Sequence, residues 1–410
     1  MPGPATLAHR QGSATVLVRD AEGRPLPHAR VEIAQTRHEF SFGNIGFDFD
    51  DLAAGRATAA DEGLAALWLD LFDTATLPFY WGDFEPTEGE PRTERLRTTA
   101  KWFAERGVRL KGHPLVWHTV QPPWLLRHDL DTVERTQRAR IRRDVADFAG
   151  LIDTWDAINE VVIMPVFDRE DNAVTRLALD RGRIHMVRMA FEEAKAANPE
   201  ATLLINDFDL SSAYEILLEG LLEADVPIDA VGLQTHMHQG FRGEEEILAT
   251  VERFARFGLP IHMTETSLVS GSLMPPDIED LNDYRVDTWP STPEGEARQA
   301  DELVRHYRAL VGHPAVESIT YWGITDRGAW LGAPIGLVRA DGSPKPSYAA
   351  LHDLVKREWW AQPQTVQADA DGQVEIAGFR GTYVARSGGI SVEVTVGAVR
   401  DPQPVVLRVR

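Results

Sequence analysis

The sequence predicts an α/β fold, a (β/α)8 TIM barrel accompanied by a small β-sandwich formed from the N- and C-terminal segments. Three observations predict it. Eight apolar, strand-like runs follow one another through the middle of the chain, each trailed by a helical stretch. Polar and aromatic residues collect at the C-terminal ends of six of those runs. The two ends of the chain carry strand-and-turn texture without a helix signal. Alternating strands and helices imply a parallel sheet, and eight such units close it into a barrel.

The elements support this in order. Between Ser13 and Ala34, ATVLVRD and ARVEIAQ alternate apolar and polar residues around the turn-forming AEGRPLP. The barrel runs are EFSFGNIG, LFDTATLPFY, RLKGHPLVWH, TWDAINE, TLLINDFD, DAVGLQTH, IHMTET and ESITYWGITD. Amphipathic stretches such as LAALWLDLF, TERLRTTAKWFAERG, QRARIRRDVADFAG and EEILATVERFARFG lie between them, the last closing on Gly258 as a helix stop. After Trp360 the texture returns to strand and turn. The expected organisation is an N-terminal β segment over 1–36, a catalytic barrel over 37–358, and a C-terminal β segment over 359–410 that packs with the first.

Composition narrows the function classes. The 410 residues are 43% hydrophobic, enough for a large core, and the net charge is −21. A field of that sign repels phosphate backbones and anionic lipid, so nucleic-acid and membrane partners are not expected, whereas a neutral sugar is not penalised. There is no cysteine, which removes disulfides and thiolate metal sites. The first twenty residues lack an apolar leader core, which favours a cytoplasmic protein unless a signal has been removed. No stretch is long and apolar enough to span a bilayer.

The strand ends carry His113, Trp117 and His118; Asn159 and Glu160; Asn206 and Asp207; Gln234 and His236; Glu265; and Trp322. In a barrel these ends meet on one face, where active sites sit. Glu160 closes the fourth run and Glu265 the seventh, so the two carboxyls can face a common centre across the barrel mouth. Two such carboxyls are the working parts of glycoside hydrolysis, one a proton donor and the other an ionised nucleophile. Two glutamates among 63 acidic residues would be a weak signal alone.

The surrounding motifs strengthen it. GHPLVWH at 112–118, WDAINE at 155–160, LLINDFD, GLQTHMH, HMTET and YWGITDRGAW, flanked by EPTEG at 85–89 and PKPSY at 344–348, together resemble glycoside hydrolase family 10, best known for endo-β-1,4-xylanases. The resemblance runs from about Phe42 to Tyr348. It implies a retaining enzyme that cuts β-glycosidic bonds in xylan or xylo-oligosaccharides, with Glu160 as acid/base and Glu265 as nucleophile. It implies that Asn159 holds the sugar 2-hydroxyl, that His113 and Trp117 line the reacting sugar, and that Gln234 and His236 partner the nucleophile. Trp322 and Trp330 match the aromatic platform, and flat indoles suit the apolar faces of pyranose rings. No cofactor and no metal is implied; the expected partner is a β-linked carbohydrate.

The chain also departs from the family pattern. Leu77 and Tyr80 stand where an Asn and a Lys precede Trp81, and Val120 where a Gln is frequent. These family residues recognise sugar hydroxyls, so a short or non-xylan β-glycoside is an alternative substrate and Tyr80 a candidate contact. Ser267 replaces an Asp that would orient His236. Two other classes stay open: a metal-dependent barrel hydrolase using His113, His118, His236 and His238, and a carbohydrate-binding protein without catalysis.

Overall fold

In the computed structural model of the protein, residues 7–398 and 404–409 are described; residues 1–6 of the leader considered above and 399–403 and 410 of the C-terminal segment lie outside them. The described chain divides into two compact units. One holds residues 42–309 and 315–348, the other residues 7–41, 310–314, 349–398 and 404–409.

The first unit is built on a closed eight-stranded barrel: β1 (Ser41–Ile45), β2 (Thr74–Pro78), β3 (Arg109–His113), β4 (Thr154–Asn159), β5 (Thr202–Asp207), β6 (Ala230–Met237), β7 (Ile261–Leu268) and β8 (Val316–Tyr321). The strands neighbour one another in chain order and β8 closes on β1. Five fall inside their apolar runs; β6 and β7 extend past the end of theirs, by one and two residues, and β8 begins one residue before its own. The strands are buried along most of their length because one face fills the barrel and the other packs on helices; in β5 every residue after Thr202 is buried. Register shifts fall between Asp156 and Ile158 on β4, between Leu233 and Gln234 on β6, and twice along β8. Bulges of this kind re-aim side chains next to active sites.

The helix Leu130–Phe148 shows how local sequence fixes the rim. Asp129 caps it by accepting from Thr132 N at 2.8 Å. Its buried stripe is Val133, Gln137, Arg140, Ile141, Asp144, Val145 and Phe148, the spacing of one helical face. Two of these are charged. Arg140, 3% exposed, donates to the carbonyls of Phe79, of Leu115 at 2.6 Å and of Pro114 at 3.3 Å, and pairs with Asp144 at 3.1 Å. It thereby ties the ends of β2 and β3 to one helix. Arg140→Ala would leave Asp144 with Arg143 as its remaining ion-pair partner, at 2.8 Å, and leave these carbonyls unpaired by a side chain in the core. The expected cost is about 3–5 kcal/mol, the usual figure for breaking a buried ion pair, read as a lowered denaturant midpoint at unchanged slope.

The second unit contains two sheets. Gln11–Arg19 pairs antiparallel with Gln373–Phe379 and parallel with Val405–Arg408. Arg30–His38 lies between Gln364–Gln367 and Gly381–Ser387, with Ile390–Val396 beyond. Both sheets draw strands from both ends of the chain, and both feed one core that includes Val16, Val18, Val31, Ile33, Ile376 and Val394. The Gly388-Gly389 turn joins two of these strands with φ of +56° and +79°, values that glycine adopts without steric cost.

Candidate active site

Glu160 is the first residue past β4, and its backbone is left-handed, with φ +56°. A non-glycine residue held there costs of order 1–3 kcal/mol and persists only where the surroundings impose it. The imposing contact is its N–H donating to the Asn206 carbonyl at 2.8 Å. The side chain is 15% exposed. Trp117 Nε1 donates to Oε2 at 2.8 Å, and Asn159 Nδ2 to Oε1 at 3.2 Å. Burial pushes this carboxyl up to about 8; the Trp117 hydrogen bond opposes the rise, and the nearby charges of Glu265 and Asp207 add to it. At neutral pH Glu160 therefore carries a proton.

Glu265 on β7 is 5% exposed and differently surrounded. Oε1 accepts from Asn206 Nδ2 at 2.9 Å, and Oε2 lies 3.1 Å from His236 Nε2. A carboxylate, which only accepts, satisfies both contacts without a proton. His236 Nδ1 lies 2.9 Å from Ser267 Oγ. A serine hydroxyl can donate to Nδ1, an arrangement in which Nε2–H is aimed at Glu265. Ser267 thus orients His236 without a second carboxylate.

Amides join the two glutamates. Asn159 Oδ1 accepts from Asn206 Nδ2 at 2.7 Å and from Gln234 Nε2 at 3.1 Å. Asn206 is wholly buried and bonds both Asn159 and Glu265. Sequence reading noted Asn206 only as a strand-end residue. It also passed over Asp156, whose Oδ2 lies 2.7 Å from His113 Nδ1 and 2.8 Å from Lys111 Nζ. Full burial would push Asp156 up, but the Lys111 ammonium and the His113 contact hold it below its ordinary value. The signal available was the alternation Lys111, His113, which places both on one face of β3.

Aromatic rings enclose one side. Tyr80 lies 5.3 Å from Trp117 and 5.8 Å from His113, centroid to centroid. Trp322 meets His113 at 5.1 Å. Phe47, which the sequence did not single out, bridges Tyr80 at 5.8 Å and Trp322 at 5.7 Å. Trp330 lies against His236 at 5.0 Å and His238 at 5.2 Å. All ten residues named from the sequence as catalytic or sugar-binding therefore fall in one connected network. Leu77 does not: it is wholly buried, and a Cβ placed on Gly46 would meet both Leu77 Cδ2, at 3.0 Å, and the Phe103 ring, at 2.8 Å. Leu77 thus belongs to the core packing with Phe103, and its apolarity takes no donor from the site.

The four histidines of the metal alternative do not converge. His113 is engaged by Asp156 and His236 by Glu265 and Ser267. His118 is covered by Phe167 at 4.4 Å, and burial lowers it to about 4. His238 is wholly buried beside Trp330 and Trp289; burial first, then His236, lowers it to about 3. Among the described residues no group of three His, Cys, Asp or Glu side chains is placed to hold a metal ion.

Comparison with known proteins follows the same lines. Residues 74–354 match the model of glycosyl hydrolase family 10. The chain is 26% identical over 297 residues to endo-1,4-β-xylanase B of Thermotoga neapolitana, covering 68% of this chain and 78% of the relative. It is 27% identical over 265 residues to an endo-1,4-β-xylanase of Geobacillus stearothermophilus, covering 60% and 75%. The crystal structure of xylanase 10B from Thermotoga petrophila RKU-1 in complex with xylobiose shares the fold, with a TM-score of 0.64 at 21% identity, covering 78% of this chain and 95% of that one. With the matched segment spanning seven of the eight barrel strands and both glutamates, the chain is a glycoside hydrolase belonging to glycosyl hydrolase family 10.

Proposed function

We propose that the protein is a retaining β-glycosidase of the endo-1,4-β-xylanase type, with Glu160 as acid/base and Glu265 as nucleophile. The observation that carries the reading is the contrast between the two carboxyls: one kept protonated by burial, the other held as an acceptor by Asn206 and His236. In the first step a Glu265 oxygen attacks the anomeric carbon while the Glu160 proton passes to the departing glycosidic oxygen. The C–O bond breaks and a glycosyl ester forms on Glu265. The ester carries no charge, so one of the influences that raised Glu160 disappears and Glu160 is left ionised. It then takes a proton from water, which attacks the same carbon and releases Glu265. Asn159, bonded by Asn206 and Gln234, would meet the sugar 2-hydroxyl, and His113, engaged by Asp156, would line the reacting ring. The xylanases among the relatives point to β-1,4-linked xylose as the substrate class.

Two displacements at one carbon retain configuration. Proton NMR of the first turnovers on a xylo-oligosaccharide is expected to show the β-anomer before mutarotation; first appearance of the α-anomer would sink the assignment.

A stability measurement tests the proton on Glu160. Its folded value of about 8 lies above the ordinary 4.5, so the unfolded chain loses this proton first. Stability is therefore highest below the ordinary value and is lost as pH rises towards 8, by at most about 1.4 kcal/mol per unit. Glu160→Gln cannot ionise. Its melting temperature should match the wild type near pH 4 and exceed it increasingly towards pH 8. A pH-independent offset would contradict the buried proton.

A further inference from the structure

Between β7 and the helix Pro293–Val311, residues 269–292 form an arm with a small core of its own. Val269, Met274 and Trp289 are buried with Ala333 and Ile335, and Ile278, Leu281 and Tyr284 pack onto them. Trp289 Nε1 donates to the Ser272 carbonyl at 2.8 Å. The arm leans on the loop after β6: Met274 N donates to the His238 carbonyl at 3.0 Å, and Gln239 Nε2 to the carbonyls of Pro275 at 2.9 Å and Ile278 at 2.8 Å. Its far end meets the loop after β4. There Arg169 Nη2 lies 2.5 Å from Asp280 Oδ2 and 3.0 Å from Asp283 Oδ1. Two residues earlier in that loop, Phe167 covers His118, whose Nε2 is 3.9 Å from Glu160 Oε2.

The loops after β7, β6 and β4 thus form a continuous wall from the strand of Glu265 round to the strand of Glu160, closed by one arginine between two carboxylates. The leaving group takes its proton from Glu160, so it lies on this β4–β6 side. Phe47, Tyr80 and Trp322, which follow β1, β2 and β8, line the opposite side. We infer that Arg169 is a specificity-determining residue: its bridge to Asp280 and Asp283 latches the wall and restricts the size of the leaving group, favouring short β-glycosides over long chains. The side of the wall is named from the proposed role of Glu160, and to that extent the inference rests on the retaining-glycosidase reading.

The latch is suited to opening. Its side chains are 40%, 38% and 61% exposed, and ion pairs of that exposure are weak and screened by salt. The arm keeps its own core without them, so the variants should fold. The test compares kcat/KM for xylohexaose with that for an aryl β-xyloside, in the wild type, in Arg169→Glu and in Arg169→Glu combined with Asp280→Arg and Asp283→Arg. Arg169→Glu should raise the hexaose-to-aryl ratio roughly three- to tenfold, as should high salt on the wild type, and the combined variant should restore it. Hydrogen exchange over residues 272–288 should quicken in Arg169→Glu. Unchanged exchange there would overturn the latch; faster exchange with an unchanged ratio would overturn the role in specificity. If the wild type cleaves neither compound, the glycosidase reading fails. The same ratio taken from dissociation constants by calorimetry then decides the latch independently.

Discussion

Glu160→Ala should lower kcat/KM for unactivated xylo-oligosaccharides by roughly 10²–10⁴, the usual worth of general acid–base catalysis, and much less for a dinitrophenyl glycoside. The asymmetry follows from the proton's destination. A sugar alkoxide is a poor leaving group and needs the proton from Glu160 as the bond breaks; a dinitrophenolate departs unaided, so its first step survives. The second step still needs a base, and the glycosyl ester on Glu265 should accumulate as a burst of released phenolate. The cavity left by the missing carboxyl keeps the Trp117 indole N–H and the Asn159 amide that had bonded it. A small anion such as azide fits those donors and needs no deprotonation, so it should restore turnover and yield the β-glycosyl azide. Equal loss on both substrates without azide rescue would remove Glu160 from the role.

The barrel was readable because its strands are buried on both faces and therefore appear as largely apolar runs, with punctuation between them. The two glutamates were readable for the opposite reason: a carboxyl directly after such a run is costly unless something uses it. What escaped is set by pairing across strands. Asp156 sits inside a matched motif, yet its significance depends on β3 placing Lys111 and His113 opposite it, and no local pattern records that register. Phe47 reads as an ordinary core aromatic until β2 and β8 bring Tyr80 and Trp322 to either side of it. The arm 269–292 has no period, because its small core draws Ala333 and Ile335 from another loop. Leu77 shows the reverse error. Its place four residues before Trp81 matches a sugar-binding position of the family motif, but a motif position carries no direction, and the pleat turns this residue towards Phe103.

Removing Leu77 from the count sharpens what is expected of Tyr80. Two departures from the family pattern stay near the sugar side: Tyr80 for an ammonium and Val120 for an amide. Val120 is 37% exposed with φ +50°, and its carbonyl accepts from Gly82 N at 2.7 Å, so the loop after β3 that carries it is tied to the turn that follows Tyr80. A charged hydrogen bond is worth about 1.5–3 kcal/mol and a neutral one about 1. Losing both forfeits roughly 2.5–4 kcal/mol of binding to the sugar beyond the cleavage point, a factor of about 10²–10³. Neither the Tyr80 ring nor the Val120 side chain supplies an ammonium or an amide. Tyr80 instead packs among Phe47, His113 and Trp117, and Phe47 joins it to Trp322. The non-reducing end of the site is therefore walled by aromatic edges, so a second or third xylose there should add little. On a common aryl leaving group, kcat/KM should stay within a few-fold from one xylose unit to five, and the protein should act poorly on long unsubstituted xylan. Tyr80→Ala should open the wall and raise the two-unit substrate relative to the one-unit substrate. Tyr80→Lys with Val120→Gln should raise it further, towards the 10²–10³ ratio that those two hydrogen bonds imply. A wild-type enzyme whose rate already climbs steeply from one unit to two would show that other donors reach the second sugar and that Tyr80 does not close the site.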